Sequence, residues 1–158
     1  MADGGRSTER VRAAAAAAGL AIQIREMPQS TRTAAEAAAA CGTSVAQIVK
    51  SLVFRKATSG EPVLLLVSGK NRVDEVAIKA VIGDTLQRMD AGDVREVTGF
   101  AIGGVAPIGS LKPLATFVDA DLMAFSTVFA AAGAPMAVFE VAPTALAEAI
   151  GATIVKMG

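Results

Sequence analysis

A single charged residue interrupts the most strand-like run of the chain, residues 47–54. In an extended strand alternate side chains share a face, so Lys50 points with Ile48, Leu52 and Phe54. Val49, Ser51, Val53 and Arg55 point the other way, which leaves the lysine on the more apolar face. Lysine is rarely buried unless it has a partner or a task. A cation on a partly desolvated face can bind carbonyl oxygens, and one whose pKa falls becomes an amine nucleophile. The plainer alternatives are a lysine snorkelling from an edge strand, or a strand whose outward face happens to be apolar. The same alternation turns the Ser51 side chain away from Lys50, which argues against a direct role for that hydroxyl.

The second candidate is the loop Gly103-Gly104-Val105-Ala106-Pro107-Ile108-Gly109. Adjacent glycines let a backbone turn tightly and approach a ligand, exposing N–H groups that can hold a carbonyl oxygen or an oxyanion. Pro107 fixes the loop's shape. The spacing is not that of a dinucleotide fingerprint opening a helix, nor of a Walker loop. A plain connecting loop is an equal reading of the pattern alone. Ser68-Gly69-Lys70 lacks the upstream glycine of a phosphate loop, and Arg72-Val73-Asp74 reads as a helix cap with a surface ion pair.

Absent residue types narrow the chemistry further. The 158 residues include no histidine, tryptophan or tyrosine. Without histidine there is no Ser-His-Asp or Cys-His nucleophile, no imidazole base and little prospect of a zinc site. With phenylalanine as the only aromatic residue, stacking platforms for single-stranded nucleic acid are not expected. Basic residues are scattered and balanced by acidic ones, 15 of each. That pattern predicts at most weak, local nucleic-acid contact and no DNA binding. Carboxylates show no paired spacing of the glycosidase or metal kind. The single cysteine, Cys41, excludes an internal disulfide and points to a reducing cytoplasm. The longest uncharged N-terminal stretch, Ala13 to Gln23, is mostly alanine and too short to span a bilayer, and Asp3 and Glu9 spoil the cationic start of a signal peptide.

The length suits one domain, residues 1–158, with a core of its own. Residues 1–8 are expected to fray ahead of an alanine-rich helix ending near Gly19. A weak strand spans 21–27. Thr33 and Glu36 form a capping box for a helix that stops at Gly42, and Ser44 with Gln47 offers a second box. The Lys50 strand pairs in a hairpin with 62–68. Helices follow from the Asp74 and Asp90 caps, separated by a strand at 86–89. Residues 99–109 are irregular. Strands at 114–118, 136–141 and 153–157, a helical turn at 121–124 and a helix begun by Pro143 complete the order. This predicts an α+β domain with a mixed, mostly antiparallel sheet flanked by short helices.

These pieces, in this order, resemble the prolyl-tRNA editing domain family, the YbaK-like aminoacyl-tRNA deacylases. The resemblance runs through Thr33-Ala34-Ala35-Glu36-Ala37-Ala38, then the run from Gln47 to Val53, Arg72-Val73-Asp74, Val97-Thr98-Gly99-Phe100, the glycine loop, and Ala130-Ala131-Ala132-Gly133. It covers roughly residues 20–158. It implies trans-acting hydrolysis of the ester joining a wrong amino acid to tRNA-Pro or a related tRNA, in the cytoplasm. It implies Lys50 in the aminoacyl pocket, and Gly103, Gly104, Val105 and Pro107 gripping the aminoacyl end. Thr33, Ser126 and Gly133 are expected to border that site. It implies no metal or organic cofactor, the acceptor end of an aminoacyl-tRNA as partner, and a synthetase as a further one. Catalysis is expected to use the terminal adenosine's hydroxyl and an ordered water. Some relatives carry a polar or basic residue after the glycine loop, where Ser110 here cannot supply an imidazole, and many carry an acidic residue at the position of Ser126, which leaves the amino-acid preference open among Pro, Ala, Cys, Ser and Thr. The competing readings are a non-catalytic module binding aminoacyl groups or a synthetase, and Schiff-base chemistry at Lys50. The last ranks lowest because no phosphate cradle is visible.

Overall fold

A computed structural model describes residues 2–157. Its organising element is β3 (Pro62–Ser68), whose residues from Val63 onward are all buried. A strand covered on both faces reads as a continuous apolar run, and this one does. Val63, Leu65 and Val67 face a cluster that includes Ile78, Leu86 and Met157. Leu64 and Leu66 face the larger core around Phe100, Phe139 and Leu146. Its neighbour β2 (Val49–Lys56) is divided the same way, with Leu52 and Phe54 toward the first cluster and Val49 and Val53 toward the second.

Among the described residues the other α-helices and strands are α1 (Ala2–Ala17), β1 (Ile24–Glu26), α2 (Ala34–Cys41), α3 (Glu75–Ile82), β4 (Leu86–Arg88), α4 (Ala91–Thr98), β5 (Ala115–Asp119), β6 (Val128–Ala131), β7 (Ala137–Val141), α5 (Pro143–Ile150) and β8 (Thr153–Val155), with 3-10 turns at Val45–Gln47 and Ala120–Ala124. The fold is α+β, as expected, but the strands part into two sheets. One is antiparallel, ordered β1-β7-β6. The other is mixed, ordered β4-β2-β3-β5-β8, antiparallel from β4 to β3 and parallel from β3 to β8. No helix among the described residues is long and apolar enough to cross a membrane.

The caps follow the sequence closely. Thr33 and Glu36 close their box on α2, and Gly42 ends the helix in the left-handed region. Asp74 and Asp90 accept backbone N–H bonds at the starts of α3 and α4. Three expectations need correction. Residues 2–8 are helical rather than frayed, because α1 is held down by tertiary contacts: Ser7 and Thr8 are buried and Arg10 reaches across to Phe100. The Ser44 box yields only one turn of 3-10 helix, Val45–Gln47, with the serine hydroxyl bonded to the Gln47 side chain instead of a backbone N–H. Strand β6 was not foreseen at all.

Candidate functional site

Just ahead of β2, Ile48 forms one parallel bridge with Phe129 of β6, and the two strands then diverge into separate sheets. A pocket of about 360 Å³ occupies the wedge between them. One wall is residues 48–52, and the facing wall is Phe129, Ala130 and Ala131 with Val138 of β7. Thr31, Arg32 and Thr33, just ahead of α2, Ala34 and Ala37 within it, and Ile102, Gly103 and Val105 complete it. No carboxylate is among the described residues that line it.

The wedge exposes a strand edge. The Ile48 carbonyl accepts from Gly69, and the Lys56 N–H donates to Glu61, so even-numbered residues of β2 turn their backbone groups toward β3. Antiparallel pairing alternates, which sends the groups of Val49, Ser51, Val53 and Arg55 the other way. Arg55 meets β4 on that side, through its register with Gln87. Ser51 meets the pocket, so its N–H and C=O form a small donor–acceptor pair aimed at the gap. Its hydroxyl is buried and has no hydrogen-bond partner.

Lys50 is half-buried at the floor, and its Nζ donates to the Asn71 carbonyl. Desolvation, first, and the Arg72 guanidinium, second, hold its pKa below the ordinary lysine range, while the Asp119 carboxylate works against both. An ammonium has three donors. One is spent on Asn71, and the rest are free to meet a ligand oxygen.

The glycine loop is shaped by two close approaches. Gly103 has φ +91°, and a Cβ there would lie 3.0 Å from Arg32 Cγ. At Gly104 a Cβ would fall 2.9 Å from the Ala134 carbonyl carbon, which no side chain tolerates without backbone movement. Arg10 of α1 fastens both ends of the segment. Its Nε donates to the Gly109 carbonyl at 2.8 Å, its Nη2 to the Thr98 carbonyl at 3.2 Å, and its guanidinium lies 4.6 Å from the centre of the Phe100 ring.

Of the residues singled out in the sequence, Lys50, Thr33, Gly103 and Val105 line this pocket. Gly104 is buried behind it against Ala134, and Pro107 lies on a different groove, beside Ala14 and Ala18 of α1. Gly133 is buried beneath the Ser7 carbonyl, and Ser126 is exposed outside the pocket. The sequence reading missed Thr31, Arg32 and the β6 wall. Thr31 was findable only through its partner: its hydroxyl and N–H both donate to the Pro135 carbonyl, more than a hundred residues away.

Residues 28–149 match the aminoacyl-tRNA editing domain. The chain belongs to that family. It is 33% identical over 126 residues to the uncharacterized protein YwhH of Bacillus subtilis (strain 168), covering 79% of each chain. It is 35% identical over 104 residues to the proline–tRNA ligase of Nitratidesulfovibrio vulgaris (strain DP4), covering 65% of this chain but only 18% of that ligase. A crystal structure of a candidate trans-editing enzyme for prolyl-tRNA synthetase superposes with TM-score 0.89 at 44% identity, over 96% of both chains. The editing family and these relatives tie the chain to proofreading in translation.

Proposed function

We propose that this editing domain hydrolyses the ester of a mischarged aminoacyl-tRNA, acting in trans on tRNA-Pro or a related tRNA. The observation that carries the reading is one pocket with a half-buried ammonium, a strand edge and a glycine-loop backbone converging on it. An aminoacyl ester is already activated, so placing a water and stabilising the developing oxyanion are sufficient. Lys50 supplies the cation, and the N–H groups of Ser51 and the loop supply further donors. Water adds to the carbonyl carbon, the bond to the ribose oxygen breaks, and a proton passes to that oxygen. With no carboxylate or imidazole at hand, the proton travels through water and the substrate's own hydroxyl.

The apolar wall of Ala130, Ala131 and Val138 suits a small side chain on the amino acid, and a 360 Å³ volume lies at the small end of ligand sites. The acceptor end of the tRNA is the partner this reading requires, and a synthetase that releases it is a further one. A panel of tRNAs charged with Pro, Ala, Cys, Ser and Thr tests the proposal. The expected result is multiple-turnover release of at least one amino acid above the spontaneous rate. No release from any of them rejects deacylation and favours a module that only binds aminoacyl groups.

A further inference from the structure

The Lys50 ammonium is not held by a side chain of its own strand or of the pocket wall. It is held by the carbonyl of Asn71, in the turn after β3. That turn is in turn fastened from below. Asp119, the last residue of β5, is fully buried, and its Oδ2 accepts from the Ser68 N–H at 3.0 Å and from Asn71 Nδ2 at 2.9 Å. Its Oδ1 accepts from the Asp121 N–H at 3.0 Å. Asn71 Nδ2 also donates to Asp121 Oδ2 at 2.8 Å, and the Asn71 N–H closes the turn on the Ser68 carbonyl at 2.9 Å. A buried carboxylate costs several kcal/mol unless it is paired or fully hydrogen-bonded. Here the bonds all come from neutral donors, the backbone N–H groups of Ser68 and Asp121 and the Asn71 amide.

We propose that Asp119 and Asn71 are positioning residues for Lys50: they lock the 68–71 turn so that its carbonyl holds the ammonium at the pocket floor, and the buried carboxylate sustains its charge there. The surroundings make this a balance. Burial disfavours the ammonium, and Arg72, exposed on the same turn, repels it. Asp119 opposes them. Asp121 lies nearby, but is partly committed to Lys70 at 3.9 Å. The arrangement lets a cation face a largely aliphatic pocket without a carboxylate in that pocket to compete for the substrate's oxygen.

The catalytic consequence rests on the deacylase reading, but the electrostatic one is measurable without turnover. In protein labelled with carbon-13 at the lysine ε-position, the Lys50 resonance is assigned by its loss in Lys50→Arg and titrated with pH. Asp119→Asn is expected to move that titration to lower pH, and Arg72→Ala to higher pH. On a hydrolysable ester, Asp119→Asn lowers kcat about tenfold with KM little changed, and its activity falls off at lower pH than in wild type. If Asp119→Asn does not fold, Asn71→Ala keeps both the carbonyl and the carboxylate while cutting the tie between them, and a smaller shift in the same direction is expected with the same loss of kcat. A Lys50 titration unmoved in the folded carboxylate or asparagine variant overturns the inference and leaves deacylation standing. An inactive wild type rejects deacylation while the titration still decides this point.

Discussion

The two halves of β2 differ in what they are built to do. From Phe54 to Lys56 the strand is paired on both sides, with β3 and with β4. From Val49 to Leu52 it is paired only with β3, and the other edge faces the pocket. The closed half satisfies its backbone and packs its side chains. The open half leaves a donor–acceptor pair at Ser51, an orphan hydroxyl and a desolvated cation. Unmet polar groups cost stability, so they collect where a ligand can meet them. One strand thus carries the scaffold at one end and the chemistry at the other.

This division is easiest to break at the closed end. Phe54→Ala removes a ring from the cluster around Val63 and Leu86, and is expected to cost about 3 kcal/mol. Denaturant midpoints will show the loss, while the rate per folded molecule stays near wild type. A smaller effect is expected where α1 holds the glycine loop. Arg10→Ala gives up two carbonyl contacts and the ring contact, about 1–2 kcal/mol together. Because the loop also loosens, deacylation should drop more than stability explains, by about tenfold.

The smallest stability effect belongs to the open end. Lys50→Met should leave stability unchanged or raise it, since the ammonium is partly desolvated and repelled by Arg72. The sign with pH follows from linkage. The folded-state pKa is lowered, so between it and the ordinary lysine value the unfolded chain binds more protons, and stability rises with pH across that window. Lys50→Met lacks that rise. Thermal melts of both proteins through the alkaline range would show the two curves converging upward from a wild-type deficit. A Lys50→Met protein less stable than wild type at neutral pH would mean that the lysine supports the fold.

Local chemistry made much of this legible in advance. The Thr33, Asp74 and Asp90 caps, the hairpin of β2 with β3 and the helix stops at glycine depend on near neighbours, and each is present in the structure. Alternation alone put Lys50 among apolar residues and turned the Ser51 side chain away. What the sequence could not display is non-local. Strand β6 is mostly alanine after Phe129, a composition with weak strand preference, and it forms because β7 pairs with it. The hold of Asp119 on Asn71 spans 48 residues, and that of Arg10 on Gly109 spans 99. Nor does any local pattern reveal that two sheets part beside Lys50, which is what makes the pocket.

The most direct test compares Lys50→Ala with Arg55→Ala on whichever charged tRNA wild type hydrolyses fastest. Both remove a cation from β2, one at the open end and one at the closed end, where Arg55 meets Asp93 at 2.7 Å in a half-exposed pair. Lys50→Ala is expected to lower kcat/KM by about a hundredfold or more, the scale of losing one oxyanion donor, with folding intact. Arg55→Ala should stay within about twofold of wild type and lose less than about 1 kcal/mol of stability. Equal activity in the two variants would contradict the assignment of the chemistry to the open half of β2.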